Sequence, residues 1–102
     1  MSKTYMLAVR WLSSELKPER IDIALGSVGD WFRYNGSTWF VFTDQSAQQI
    51  SQAVRVMLGS YDSILVIRVE PSEVAGWAPP DMWNWLQSKT SRNVLADILS
   101  RS

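Results

Sequence analysis

The sequence lacks two residue types on which much enzyme chemistry depends, since its 102 residues include no cysteine and no histidine. Without cysteine there is no disulfide framework, thiolate nucleophile or zinc knuckle. Without histidine the usual general base, the serine–histidine triad and the commonest transition-metal ligand are excluded. Catalysis would have to use carboxylates, lysine, tyrosine or serine, with any metal held by oxygen ligands. The composition by itself points to no catalytic residue, no metal site and no cofactor, and it leaves catalysis by carboxylates open.

An excess of charge of one sign is also missing. Lys plus Arg and Asp plus Glu each number 10, so net charge gives no argument for nucleic acid or a membrane surface. No apolar run approaches membrane-spanning length, and the short run "YMLAV" falls below the core of a signal peptide. These features predict a cytoplasmic protein with no membrane partner. Seven of the ten cations are arginine, which tolerates burial and pairs in a planar fork at interfaces.

Hydrophobic residues make up 46% of the chain and charged residues 20%, a balance typical of one globular domain. Runs of β-branched and aromatic residues predict four strands, one at residues 4–12, two in the hairpin 31–43 and one at 62–70. Apolar residues at helical spacing predict helices over 17–29 and 46–59. The element order is therefore βαββαβ.

Residues that start and stop helices support these boundaries. Pro18 suits the first position of the first helix, and Gly29 is a reasonable end to it. Ser46 and Gln49 have the spacing of a capping box at the start of the second helix, which Gly59 is predicted to close.

Two right-handed crossovers in this order give an α+β, ferredoxin-like fold. Its antiparallel sheet has the strand order 4-1-3-2, with both helices on one face. A short C-terminal helix is predicted over residues 79–88, opening with Pro80, and a final amphipathic turn or two over 94–102. We assign residues 1–88 to the ferredoxin-like domain and 89–102 to a hinge and short helical tail.

The strands are apolar on both faces, which is typical of a sheet that is covered on both sides. Pairing the hairpin across the Asn35-Gly36 turn predicts one face with Phe32, Tyr34, Trp39 and Val41, and another with Trp31, Arg33, Thr38, Phe40 and Phe42. A second copy, the C-terminal helices or stacked bases could cover the face without the two helices. We favour a homodimer, because a surface patch that is complementary to itself about a two-fold axis needs no other partner. Its predicted interface residues are Met6, Ala8, Arg10, Trp31, Arg33, Phe40 and Phe42.

Arginines and carboxylates leave two further interpretations open. Arg10, Arg33 and Arg68 lie on three predicted strands, and arginine among aromatics on a sheet is typical of RNA-binding platforms. The third strand lacks the Lys/Arg-Gly-Phe start that is typical of RNA-recognition domains. The same arginines could instead pair with aspartates across a dimer interface. The aspartates at strand boundaries, Asp30, Asp44 and Asp62, are interpreted as partners of turn and cap backbone groups.

Three segments carry a family resemblance: "GDWFRYNGSTWFVFT" at 29–43, "YDSILVIRV" at 61–69 and "AGWAPPDMWNWL" at 75–86. They resemble an uncharacterised bacterial branch known as SinR-like. That branch is similar to the small CRISPR-associated adaptation-subunit family of dimeric ferredoxin-like proteins and to the VapD-like endoribonucleases. The resemblance covers about residues 4 to 88 and implies a dimer.

The resemblance also implies one test of activity. In nuclease-active relatives the first strand ends in an aspartate after an aromatic residue, and this carboxylate is proposed to hold a divalent metal at the dimer interface. The matching position here is Arg10, which offers hydrogen-bond donors and no acceptor. We therefore predict a non-catalytic homodimer, a scaffold or regulator, with a metal-dependent endoribonuclease and an RNA- or single-strand-binding module as alternatives.

Overall fold

The computed structural model describes residues 1–13 and 16–89. The amphipathic turns predicted over 94–102 lie outside the described residues. The described chain falls into two compact units, Met1–Arg68 and the residues from Val69 onward. The domain boundary predicted at residue 88 stays a prediction.

The first unit contains the predicted sheet. Its strands are β1 (Lys3–Arg10), β2 (Asp30–Asn35), β3 (Thr38–Thr43) and β4 (Ser63–Val69), of which β4 extends one residue beyond the unit. They lie in the order β2-β3-β1-β4, so the predicted α+β ferredoxin-like topology is confirmed. The antiparallel pairing of β1 with β3 places Met6 opposite Phe40 and Leu7 opposite Trp39.

Both helices, α1 (Pro18–Gly26) and α2 (Ala47–Arg55), pack on one face of the sheet, which we call the helix face. Its buried core combines residues from β1, β3, the helices and the turn after α1: Tyr5, Leu7, Val9, Ile21, Ala24, Leu25, Val28, Trp39, Val41, Ile50 and Val54. Burial of each large apolar side chain in such a core stabilises the fold by about 1.5–3 kcal/mol. The apolar residues that recur at helical spacing in the sequence are thus among those that face the sheet.

The two helices begin as their sequences predict. Pro18 occupies the first turn of α1, where its missing N–H leaves no hydrogen bond unmade. At α2 the Ser46 hydroxyl accepts from the backbone N–H of Gln49 at 3.1 Å, and the Gln49 side chain accepts from the backbone N–H of Ser46 at 2.8 Å. This reciprocal capping box satisfies two of the N–H groups that a helix start leaves without partners.

The ends of both helices correct two predictions about glycine. α1 ends at Gly26, and Gly29 instead lies so close to β3 that a Cβ there would overlap the Phe42 carbonyl oxygen. α2 ends at Arg55, and a Cβ on Gly59 would overlap the Ser13 side chain. Both glycines are needed for close approach between distant segments, which helical spacing alone does not reveal.

The second unit contains a short 3₁₀ turn, Pro71–Glu73, and helical residues at 80–89. The predicted short helix that opens with Pro80 is therefore confirmed. Met82, Leu86 and Lys89 are buried, and the Lys89 ammonium lies 4.7 Å from the centre of the Trp85 ring. No helix in the described part of the chain is long and apolar enough to cross a bilayer.

Candidate functional site

The candidate site is the sheet face opposite the two helices, which we call the second face, together with the outer edge of the terminal strand β4. Strand alternation and the observed pairing place four groups on the second face. They are Thr4, Met6, Ala8 and Arg10 from β1; Thr38, Phe40 and Phe42 from β3; Asp30 and Phe32 from β2; and Leu65 and Ile67 from β4. Five of the seven predicted interface residues are thus on this face: Met6, Ala8, Arg10, Phe40 and Phe42.

The predicted pairing of the hairpin is wrong by one residue along β2. Trp31 lies opposite Val41 and Arg33 opposite Trp39, so Trp31 and Arg33 are on the helix face. The cause is an irregularity in β2 between Arg33 and Asn35, which uses one extra residue. A one-residue shift moves every side chain of a strand to the opposite face. Phe32 therefore lies on the second face, where the sequence predicted Trp31 and Arg33.

A charged cluster fixes the relocated Arg33 above α1. The Asp22 carboxylate accepts a hydrogen bond from Trp39 Nε1 at 2.8 Å and lies 3.5 Å from Arg33 Nη1. Trp39 is fully buried, and its indole N–H therefore needs an acceptor such as this one. Asp22 thus joins the first helix to both strands of the hairpin.

The three arginines proposed to contact nucleic acid are not brought together. Arg10 is exposed at the end of β1 on the second face, whereas Arg33 is on the helix face of β2. By alternation from Ile64 and Val66, Arg68 is on the helix face of β4. Because β2 and β4 are the two outer strands, Arg33 and Arg68 lie at opposite edges of the sheet.

Exposure divides the second face into two parts. Phe40 is only 7% exposed and Thr4 is buried. On β4, in contrast, Leu65 is 58% exposed and Ile67 is 42% exposed. Within the second face, the most exposed apolar side chains are therefore on the terminal strand.

A second feature lies next to the start of β4, where the Asp62 carboxylate binds backbone amides from two loops. Its Oδ1 accepts from the N–H groups of Leu12 at 2.8 Å and Ser13 at 2.7 Å, and its Oδ2 accepts from Gly59 at 2.8 Å. The Ser13 hydroxyl accepts from the Tyr61 N–H at 3.1 Å. The interpretation of Asp62 as a partner of backbone groups is confirmed, and the carboxylate connects the end of β1 to the loop before β4.

These contacts lower the pKa of Asp62 below its ordinary value. The backbone N–H of Ser13 contributes most to the lowering, loss of hydration opposes it, and the amides of Gly59 and Leu12 add to it. Hydrogen bonds to a carboxylate favour its charged form. Asp62 is therefore ionised at neutral pH.

The lowered pKa predicts a dependence of stability on acid. Because the folded pKa is below the unfolded value, the contribution of Asp62 is present above about pH 4 and is lost as the pH falls through the folded pKa. We expect Asp62→Asn to be less stable than the wild type at neutral pH, and the difference to shrink between about pH 5 and pH 2. Urea unfolding followed by circular dichroism across this range measures it. Parallel pH profiles for the two proteins would contradict the assignment.

Two depressions adjoin the Asp62 cluster. The smaller, of about 90 Å³, is lined by Trp11, Ser13, Lys17, Arg20, Met57, Gly59 and Asp62. The larger, of about 450 Å³, lies between α2 and the start of β4 and is lined by Ser51, Arg55, Leu58, Gly59, Ser60, Asp62, Ser63 and Ile64. Neither gathers carboxylates, and among residues 1–13 and 16–89 no three acidic side chains converge as a metal ion would require.

Comparison with known proteins does not extend this description. No protein-family model matches the chain, and no curated protein matches it. The functional argument therefore depends on the surface itself.

Proposed function

We propose that this chain is a non-catalytic homodimer that acts in the cytoplasm as a scaffold or regulator, alongside nucleic acid or another protein. The observation that carries the proposal is the exposure of Leu65 and Ile67 on the terminal strand β4. An apolar strand at the edge of a sheet is a template for pairing with another chain. A second copy is the partner that is always present at the required concentration, and closed two-fold dimers are the commonest oligomers.

The polar groups near this surface support binding over catalysis. Arg10, at the end of β1, is a donor-only side chain and provides no ligand for a cation. The nearest carboxylate to the β4 start, Asp62, already accepts three backbone hydrogen bonds. A carboxylate used in this way fixes two loops, which is a structural role.

One observation favours an RNA- or single-strand-binding module as the second candidate. Arg10 shares the second face with Phe32 and Phe42, both of which keep part of their surface exposed. Partly exposed aromatic rings on a sheet suit the stacking of unpaired bases, and Arg10 lies on the same face, six residues along β1 from Thr4, the partner of Phe42. This candidate requires affinity that falls with added salt.

The homodimer is tested by absolute mass from light scattering over a dilution series, in the wild type and in Ile67→Glu. We expect the wild type at twice 11.6 kDa and the variant at a single chain mass at the same concentrations. An unpaired charge buried at an interface costs about 3–5 kcal/mol, which weakens association by at least about 100-fold.

The matched control is Ile23→Glu, the same change at an isoleucine that is 70% exposed on α1, and it is expected to remain dimeric. A wild type with the mass of one chain at every concentration would contradict the homodimer. Salt-dependent binding of single-stranded RNA by that monomer, reduced by Phe42→Ala, would then favour the second candidate.

A further inference from the structure

The two edges of the sheet differ in how well they are protected from pairing. β2 carries the irregularity between Arg33 and Asn35 and begins with Asp30. Bulges and charges of this kind hinder the addition of another strand. β4 has the sequence SILVIRV, which contains no proline, glycine or lysine and only one charge. One edge of the sheet is therefore protected, and the other has the features of a strand that accepts a partner.

We propose that β4 strands of two copies pair antiparallel about a two-fold axis at Val66, joining two sheets into one of eight strands. The inference rests on the proposed homodimer and adds the identity and register of its interface. Full overlap of the seven residues Ser63–Val69 places Val66 opposite Val66 of the partner subunit. The same register places Leu65 opposite Ile67 of the partner subunit, and Ile64 opposite Arg68 of the partner subunit.

In this register the exposed apolar side chains of the two copies cover each other. Directly opposite residues of an antiparallel pair lie on the same face, with Cβ atoms about 4.5–5.5 Å apart. Leu65 and Ile67, the two most exposed apolar residues of β4, therefore cover each other twice on the second face. If the register were shifted by one residue, Leu65 and Ile67 would instead lie opposite residues of the helix face. The helices of the two copies would then lie on opposite sides of the joined sheet.

Charge is also complementary in this register. Arg68 of one copy lies opposite Ile64 of the other, and its diagonal neighbours are Val66 and Asp62. Diagonal neighbours are about 7–8 Å apart, within reach of a long side chain. The Asp62 carboxylate is ionised and uses three of its roughly four acceptor positions on backbone amides, which leaves room for a guanidinium. The two-fold axis repeats this contact and keeps the two Arg68 side chains apart.

Disulfide formation tests the pairing directly, because the chain has no cysteine of its own. In the variant Val66→Cys the two thiols would lie on the axis, with Cα atoms about 4.5–5.5 Å apart, inside the range for a disulfide. We expect most of this variant to become covalently dimeric under mild oxidation. Ser63→Cys is the control on the same strand, since its two copies would be about 20 Å apart, six residues at 3.3 Å each.

The outcomes separate the inference from the homodimer on which it rests. Cross-linking of Val66→Cys but not Ser63→Cys supports the register. A dimer by mass in which Val66→Cys does not cross-link, or cross-links no faster than Ser63→Cys, overturns the β4 pairing and leaves the homodimer standing. A monomer by mass overturns both.

Hydrogen exchange of the wild type tests the same contact without substitution. Alternate β4 amides point away from β1 and would bond to the partner strand, so we expect them to exchange at least tenfold more slowly in concentrated than in dilute protein. The β2 amides, at the protected edge, serve as the internal control and should not change. A dimer in which β4 exchange is independent of concentration would also overturn the pairing.

Discussion

Trp39→Ala is expected to lower the free energy of unfolding by about 3–5 kcal/mol, the usual range for truncating a buried aromatic residue. Trp39 is 0% exposed, lies on β3 between α1 and the neighbouring strands, and donates from Nε1 to Asp22. The substitution removes the largest side chain of the core and leaves the Asp22 carboxylate without one partner. Domains of this kind have total free energies of unfolding of about 5–15 kcal/mol, so the loss is a large fraction of the total.

Two further variants separate the components of this effect. Trp39→Phe keeps a ring in the core and removes the hydrogen bond to Asp22, and we expect a smaller loss of about 1–3 kcal/mol. Trp77→Ala is the matched control, because Trp77 is fully exposed and its removal should leave stability within about 0.5 kcal/mol. Urea unfolding followed by circular dichroism measures all three. Equal losses for Trp39→Ala and Trp77→Ala would contradict the described core.

Gly29→Ala is expected to destabilise the fold by about 1–3 kcal/mol, as overpacking at a close contact does. A Cβ at this position would overlap the Phe42 carbonyl oxygen and lie 2.9 Å from Thr43 Cβ. Both belong to β3, and a backbone oxygen in a sheet cannot move aside as the end of a flexible side chain can. The Thr43 hydroxyl also donates to the Val28 carbonyl at 2.8 Å, which fixes the same approach from the other side.

Gly26→Ala is the opposite case and provides the control for Gly29→Ala. Gly26 is the last residue of α1, and a Cβ there would meet no atom within 4 Å. Alanine is a better helix former than glycine by about 1 kcal/mol, so thermal or urea unfolding should show a gain of up to that size. Changes of the same sign in the two variants would mean that the approach of Gly29 to β3 is not as described.

The parts of the fold that depend on local sequence were predictable. The capping box at Ser46 and Gln49 and the start of α1 at Pro18 involve residues within one helical turn, so their spacing is sufficient evidence. The element order then leaves few topologies, because right-handed crossovers restrict the strand order.

The register of the hairpin was not predictable from the Asn35-Gly36 turn. In the structure Asn35 pairs with Thr38 and the turn residues are Gly36 and Ser37, and the extra residue in β2 then shifts Arg33 to face Trp39. Arg33 is acceptable on the helix face because it reaches Asp22 at the rim of α1. That compensation joins residues far apart in the chain, which a pattern of alternating side chains cannot show.

The candidate site was predictable in its chemistry and only partly in its position. Apolar character on both faces of the strands correctly indicated a second apolar face, yet Phe40 is buried within the single chain and the exposed residues are on β4. The role of Gly59 also depends on a distant segment, because its N–H donates to Asp62 while its α-carbon faces Ser13. Such contacts follow from the three-dimensional arrangement of loops and have no local signature.

The position of β1 in the sheet affects how the chain acquires structure during its synthesis. β1 comes first in the sequence but is central in the sheet, and both of its neighbours, β3 and β4, are made later. At 5–20 residues per second, the roughly 60 residues from Arg10 to Val69 take about 3–12 s to emerge from the ribosome. Throughout that interval the apolar "TYMLAV" segment has at least one side without its final partner, and β1 therefore waits longer for its last neighbour than any other strand of the sheet.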